Sequence, residues 1–175
     1  ILLTQHPLAP NPSAAGVLQA GEALPMAAPL EVGVICTDLE AMMRFYTGVL
    51  GLTLVGDAET SAAMSTRLGA APDGYRIVRL QTPRGERIKL VQRRSGPVRG
   101  AAPRWVFDRP GLAYVTFVIT DMAGVMSRLK AAGVETMGDG PVEVRPGVTA
   151  VMSQDPENNF VEFVEYAEAA PSRPR

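Results

Sequence analysis

Apolar and polar positions along this chain follow two rhythms, and the two recur in the same order twice. Between Leu30 and Asp57 a β-branched run (LEVGVIC) gives way to TDLEAMMRFYTGVLG, where Leu39, Met42, Met43, Tyr46, Val49 and Leu50 fall at helical spacing. The pattern predicts a strand and then a helix. Thr37 is the expected N-cap, Glu40 three residues on completes a capping box, and Gly51 supplies a left-handed C-cap. From Ala113 to Asp139 the order repeats, with Met122, Val125, Met126 and Leu129 as the stripe and Gly133 as its end. The methionines in both stripes read as core packing. Three shorter strands follow each helix, around 52–56, 75–81 and 86–92, then around 134–137, 148–154 and 160–166. Pro83–Glu86 and Pro156–Asn159 are the expected hairpin turns.

The two halves are copies of one unit. Thr37-Asp38-Leu39 matches Thr120-Asp121-Met122 at an offset of 83, and Gly51 matches Gly133 at 82, so the second helix is one residue shorter. Thr82-Pro83 matches Asp155-Pro156, and Ile88–Val91 matches Val161–Val164, at an offset of 73. The nine residues lost between these offsets place a longer loop in the first unit, around Ala58–Gly74, with room for a short helix that could act as a flap.

Period-two alternation assigns the faces of the sheet. Val32, Val34, Cys36, Val78, Leu80, Ile88 and Leu90 are expected beneath the first helix. Glu31, Arg79, Gln81 and Lys89 then point the other way, as do Tyr114, Gln154 and Glu162 in the second unit. A curved sheet with these side chains on its concave face forms a pocket.

Composition narrows the classes. Hydrophobic residues make up 46% and charged residues 20%, and no apolar stretch is long enough to cross a bilayer, so a membrane partner is not expected. A net charge of −1 gives no global pull toward nucleic acid. The lone Cys36 rules out an internal disulfide framework and fits a cytoplasmic setting. Residues 1–27 read as a flexible extension in which Met26 is a candidate natural start, and 167–175 as a disordered tail. The connector between the units, 94–111, is basic (Arg94, Arg99, Arg104 and Arg109, with Trp105) and follows Arg93. It reads as a solvated linker. No Gly-rich phosphate loop, nucleophile elbow or paired-cysteine zinc motif is present.

The segments EVGVICTDLEAMMRFYTGVLGL, YVTFVITDM and DPENNFVEFVEY resemble the vicinal oxygen chelate superfamily of glyoxalases, ring-cleaving dioxygenases, epimerases and bleomycin-resistance proteins. The resemblance implies an α+β fold in which two βαβββ repeats form a curved mixed sheet around a central cup. One domain would span 28–166, with repeat one at 29–93 and repeat two at 112–166, and a homodimer would be the usual assembly. Metal-dependent members hold one divalent cation with four side chains from the first and last strands of both units. Those positions carry Glu31, Lys89, Tyr114 and Glu162 here. An ammonium has no lone pair to give, a phenol ligates only as phenolate, and the sole histidine, His6, lies in the extension. Only Glu31 and Glu162 remain as ligands, so no metal and no other cofactor is expected.

Lys89 is instead expected to stand where the metal would be, compensating Glu31 and Glu162. Such a cluster is either inert architecture or an acid–base device. The leading reading is a metal-independent lyase or isomerase that moves a proton beside a carbonyl of a small oxygenated molecule. Glu31 or Glu162 serves as base, Lys89 and Tyr114 stabilise the oxygen, and Arg79, Gln81, Gln154 and Tyr75 bind substrate. A non-catalytic binding or sequestering protein is the alternative, and a metal-dependent glyoxalase- or dioxygenase-like enzyme the third.

Overall fold

The first repeat runs β1 (Glu31–Cys36), α1 (Leu39–Met43) continuing as a π-helical segment (Arg44–Val49), β2 (Thr53–Thr60), α2 (Ala62–Arg67), β3 (Tyr75–Gln81) and β4 (Arg87–Arg93). The second runs β5 (Tyr114–Ile119), α3 (Met122–Ala131), β6 (Val142–Arg145), β7 (Val148–Gln154) and β8 (Phe160–Tyr166). The computed structural model describes residues 30–70, 72–95, 112 and 114–167. The extension, most of the linker with Arg99, Arg104, Trp105 and Arg109, and the tail beyond Ala167 lie outside the described residues, as does His6.

The strands form two mixed sheets of one design, ordered β1-β4-β3-β2 and β5-β8-β7-β6. In each, the first strand pairs in parallel with the last, and the rest are antiparallel. Glu31 opposes Arg87, and Tyr114 opposes Phe160, so the ladders themselves carry the offset of 73 read from the sequence. Each outer strand has a bulge, at Leu54/Gly56 in β2 and Glu143/Arg145 in β6.

The helices bury one stripe each. Leu39, Met42, Phe45 and Tyr46 of the first, with Met122 and Leu129 of the second, pack on Val78, Leu80, Ile88, Leu90, Val161 and Phe163 in one continuous core. The extra residue of the first helix is taken up by its π-helical turns: Leu50 N–H reaches back five residues to Phe45 C=O at 3.2 Å. Gly51 and Gly133, at φ 76 and 68, end the two helices in the left-handed region, as expected.

Two local expectations are corrected. The N-cap of α1 is Asp38, whose Oδ1 accepts Ala41 N–H at 2.9 Å, and Asp121 does the same for Gly124 in α3. Thr37 instead donates its N–H and hydroxyl to Glu157 Oε1, at 2.7 and 2.6 Å, and Glu40 pairs with Arg76 at 3.5 Å. A carboxylate delivered from the other repeat outcompetes the local box. The strand expected near 134–137 is reduced to a single bridge, Thr136 to Ser153, and β6 forms further on. Gly138 and Gly140, at φ 64 and 90, break the ladder there, and the alternating Val142-Glu143-Val144 takes the sheet edge instead.

A second seam joins the repeats at the turn after β7. Asp155 is buried and accepts Glu157 N–H, Asn159 N–H and the Asn159 amide, shaping a turn with Asn158 at φ 63. Into this turn the Tyr46 hydroxyl donates, to Asp155 Oδ2 at 3.0 Å.

Candidate functional site

Sheet pairing turns the concave face into a set of rungs. In the first sheet one rung holds Glu31, Arg87 and Gln81, and the next holds Gly33, Lys89, Arg79 and Gly56. In the second sheet Tyr114, Phe160 and Gln154 share one rung, and Thr116, Glu162 and Met152 the next.

On the first rung Glu31 is fully engaged. Arg87 Nη1 donates to Oε1 at 3.1 Å, and Lys89 Nζ lies 3.3 Å from Oε2. The Arg87 hydrogen bond, opposed by desolvation and supported by Lys89, holds the Glu31 carboxyl below its ordinary range. Gln81 accepts Arg87 Nε–H at 2.7 Å, which fixes the guanidinium from its other side. Gln81 therefore positions Arg87. On the second rung Arg79 is partly buried over Gly56 and makes no hydrogen bond or ion pair among the described residues.

In the second sheet Glu162 is only 6% exposed, and its partner is a neutral hydroxyl: Thr116 Oγ1 donates to Oε2 at 2.7 Å. Phe160, Val164 and Ala150 on the same face are buried too. This half of the face is apolar around one carboxylate, where alternation alone suggested a polar centre. Tyr114 stands exposed at the end of β5. Gln154 is turned toward its own hairpin, its amide 3.5 Å from Asn158 C=O.

The expected cluster is thus divided. Lys89 pairs with Glu31 and makes no ion pair with Glu162, because Arg87 and Lys89 converge on Glu31 along one sheet while Glu162 is held by Thr116 in the other. Tyr75 shares the face but sits two rungs from Arg79, opposite Arg93, at the far end of the ladder. The loop after β2 does contain a short helix, but both ends are tied down. Glu59 pairs with Arg94 at 2.9 Å, and Asp73 binds Arg93 and Ser95 at 3.1 and 2.8 Å. Two arginines at the start of the basic stretch are thereby neutralised. Arg87 and Thr116 were not singled out from the sequence, though each lies two residues from a chosen position and so shares its face. Cys36 is buried, and burial first, with nearby carboxylates next, pushes its thiol up to about 12, which leaves it unreactive.

The donor set does not fit a divalent cation. Of the four family ligand positions, one holds an ammonium already bonded to its neighbour and one a phenol. No group of three or more His, Cys, Asp or Glu among the described residues could hold a metal ion.

The family model of the Glyoxalase/Bleomycin resistance protein/Dioxygenase superfamily matches residues 29–163. The chain belongs to this superfamily. Solved structures agree on the fold. A glyoxalase family protein from Bacillus cereus is 21% identical with a TM-score of 0.73, covering 86% of this chain and 99% of that one. A glyoxylase/bleomycin resistance protein/dioxygenase domain from Frankia sp. EAN1pec is 20% identical (TM-score 0.61; 83% and 96% covered). The fosfomycin resistance protein FosX from Listeria monocytogenes, complexed with Mn(II) and sulfate, is 14% identical (TM-score 0.53; 82% and 95% covered). No curated protein sequence matches the chain. No helix among the described residues is long and apolar enough to cross a membrane.

Proposed function

We propose that this superfamily member binds a small oxygenated organic molecule in its sheet cup and moves a proton on it without a metal, as a lyase or isomerase. The observation that carries this reading is the contrast between its two carboxylates. Glu31 is held by Arg87 and Lys89 and serves as an anchor for those cations. Glu162 is buried among apolar side chains with a single neutral hydroxyl as partner, which leaves one carboxylate oxygen free to accept a proton. In the proposed step Glu162 takes the proton from a carbon beside a carbonyl. The C–H electron pair moves into the enolate, and Lys89 with the Tyr114 hydroxyl stabilises the charge on its oxygen. Proton return at the same or a neighbouring carbon gives an isomer, and departure of a β-substituent gives a lyase product.

The test is exchange of substrate C–H for deuterium in heavy water, followed by NMR over a set of small 2-oxo and 2-hydroxy acids, with chelator present. Exchange by the parent and its loss by about 10²–10⁴-fold in Glu162→Gln is the expected result. Exchange that survives in Glu162→Gln, or that requires added metal, overturns the reading. Tight binding of such molecules with no exchange supports the non-catalytic sequestering alternative, which the apolar patch of Phe160, Val164 and Ala150 also suits.

A further inference from the structure

The rung Gly33–Lys89–Arg79–Gly56 contradicts ordinary sheet chemistry. Arg79 and Lys89 are direct cross-strand neighbours on one face, and like charges placed so destabilise a sheet. Lys89 has Glu31 beside it, but Glu31 also carries Arg87, so two cations share that one carboxylate and Arg79 has no partner among the described residues. The positions flanking the pair are both glycine. A Cβ built on Gly33 meets nothing within 4 Å, and the atoms nearest to one on Gly56 belong to the Arg79 side chain. Both cations are partly buried, and the hollow beside them is the open space at Gly33.

We infer that this hollow is a seat for an oxyanion, so that the molecule taken by the cup is an acid whose carboxylate or phosphonate head lies between Arg79 and Lys89. The inference rests on the cup being the ligand site and adds the substrate class. An oxyanion there gives Arg79 the partner it lacks and turns the Arg79–Lys89 repulsion into two charge-assisted contacts. Arg87, fixed by Glu31 and Gln81, closes the side toward the next rung. Gly33 is the position that decides how large a group fits beside the head.

The experiment uses the full chain labelled with ¹⁵N and four probes: pyruvate, its uncharged amide pyruvamide, methylphosphonate and inorganic sulfate. Backbone amide shifts of Gly33 and Gly56 are followed during titration. Saturable shifts with pyruvate or methylphosphonate and none with pyruvamide are expected, and the preferred probe identifies the head group. Arg79→Gln weakens binding about tenfold or more. Gly33→Val abolishes binding with no loss of melting temperature, since its side chain enters open space on a strand. Gly33→Ala supplies a smaller version of the same block.

Equal binding of pyruvate and pyruvamide, sulfate shifts alone, no saturable shift with any probe, or undiminished binding in Arg79→Gln overturns the inference. Its failure is separable from that of the proton-transfer reading. Acid binding without deuterium exchange removes the reaction and leaves the seat. Exchange that needs Glu162 but not Arg79 removes the seat and leaves the reaction.

Discussion

Replacing Tyr46 with Phe removes a single oxygen from the seam between the two repeats. Tyr46 is 1% exposed, and its hydroxyl donates at 3.0 Å to Asp155, itself 4% exposed. A hydrogen bond to a charged group contributes about 1.5–3 kcal/mol. Asp155 keeps its other donors, the N–H groups of Glu157 and Asn159 and the Asn159 amide, so the carboxylate is not orphaned. The loss therefore belongs at the low end, about 1.5–2 kcal/mol, or about 3–8 °C in Tm.

Acidity gives the same variant a second signature. Desolvation raises the Asp155 carboxyl above its ordinary value, against hydrogen bonds from Asn159, Tyr46 and Glu157 that pull it down. A carboxyl with a raised folded-state pKa contributes stability that is complete below the unfolded value and is lost as pH rises through the folded one. Tyr46 restrains that rise. Without it the Asp155 pKa climbs further, and the deficit of Tyr46→Phe is larger at about pH 7 than at about pH 4. Urea unfolding followed by circular dichroism at both values measures this. A deficit below about 0.5 kcal/mol at neutral pH, or one that does not shrink in acid, refutes the argument.

Lys89→Met leaves thermal stability at neutral pH unchanged, because Arg87 still holds Glu31 and the repulsion between Lys89 and Arg79 is relieved. A marked loss that recovers in acid restores the idea that Lys89 compensates both glutamates. The Asp73 carboxyl is held down to about 2, chiefly by the Ser95 hydroxyl, against desolvation and with Arg93 assisting. Its contribution is present above the ordinary value of 3.8 and is lost as pH falls from there toward 2, so Asp73→Asn flattens that acid limb of the Tm profile, and an unchanged limb counts against it.

What the sequence made legible was whatever repeats. The strands at 75–81, 148–154 and 160–166 fall where alternation put them, and the offset of 73 reappears in the pairing of Glu31 with Arg87 and Tyr114 with Phe160. The one-residue difference between the helices was visible too, but not its form, since widening to a π-helical turn leaves no mark on the apolar stripe. The strand expected near 134–137 was lost to the local Gly138 and Gly140, but two other misread features depend on a partner far along the chain. Thr37 has the right chemistry for an N-cap, yet Glu157 arrives from the other repeat, 120 residues away, and takes both its donors. The Lys89 cluster failed likewise. Alternation says which face a side chain takes and nothing of which neighbour on that face it chooses, and Glu31, one rung from Lys89 in the same sheet, takes both Lys89 and Arg87.

The two faces of the sheet have also diverged to different degrees, which separates what the fold needs from what the cup does. Beneath the helices the repeats keep apolar partners at matched positions: Val78 and Val151, Ile88 and Val161, Leu90 and Phe163. A packed core tolerates a change of volume but not of polarity, so these pairs stay alike while the architecture lasts. On the concave face the same positions swap chemistry outright: Arg87 for Phe160, Lys89 for Glu162, Arg79 for Met152. The backbone does not require those differences, since both sheets share strand order, parallel pairing and an edge bulge. They produce one half rich in cations and one half holding a carboxylate in apolar surroundings. On the proposed reading, an acid bound by its head on the first half presents its carbon skeleton to the second. A symmetric pair of sheets would hold the head or shed the proton, and only the unequal pair has a place for each.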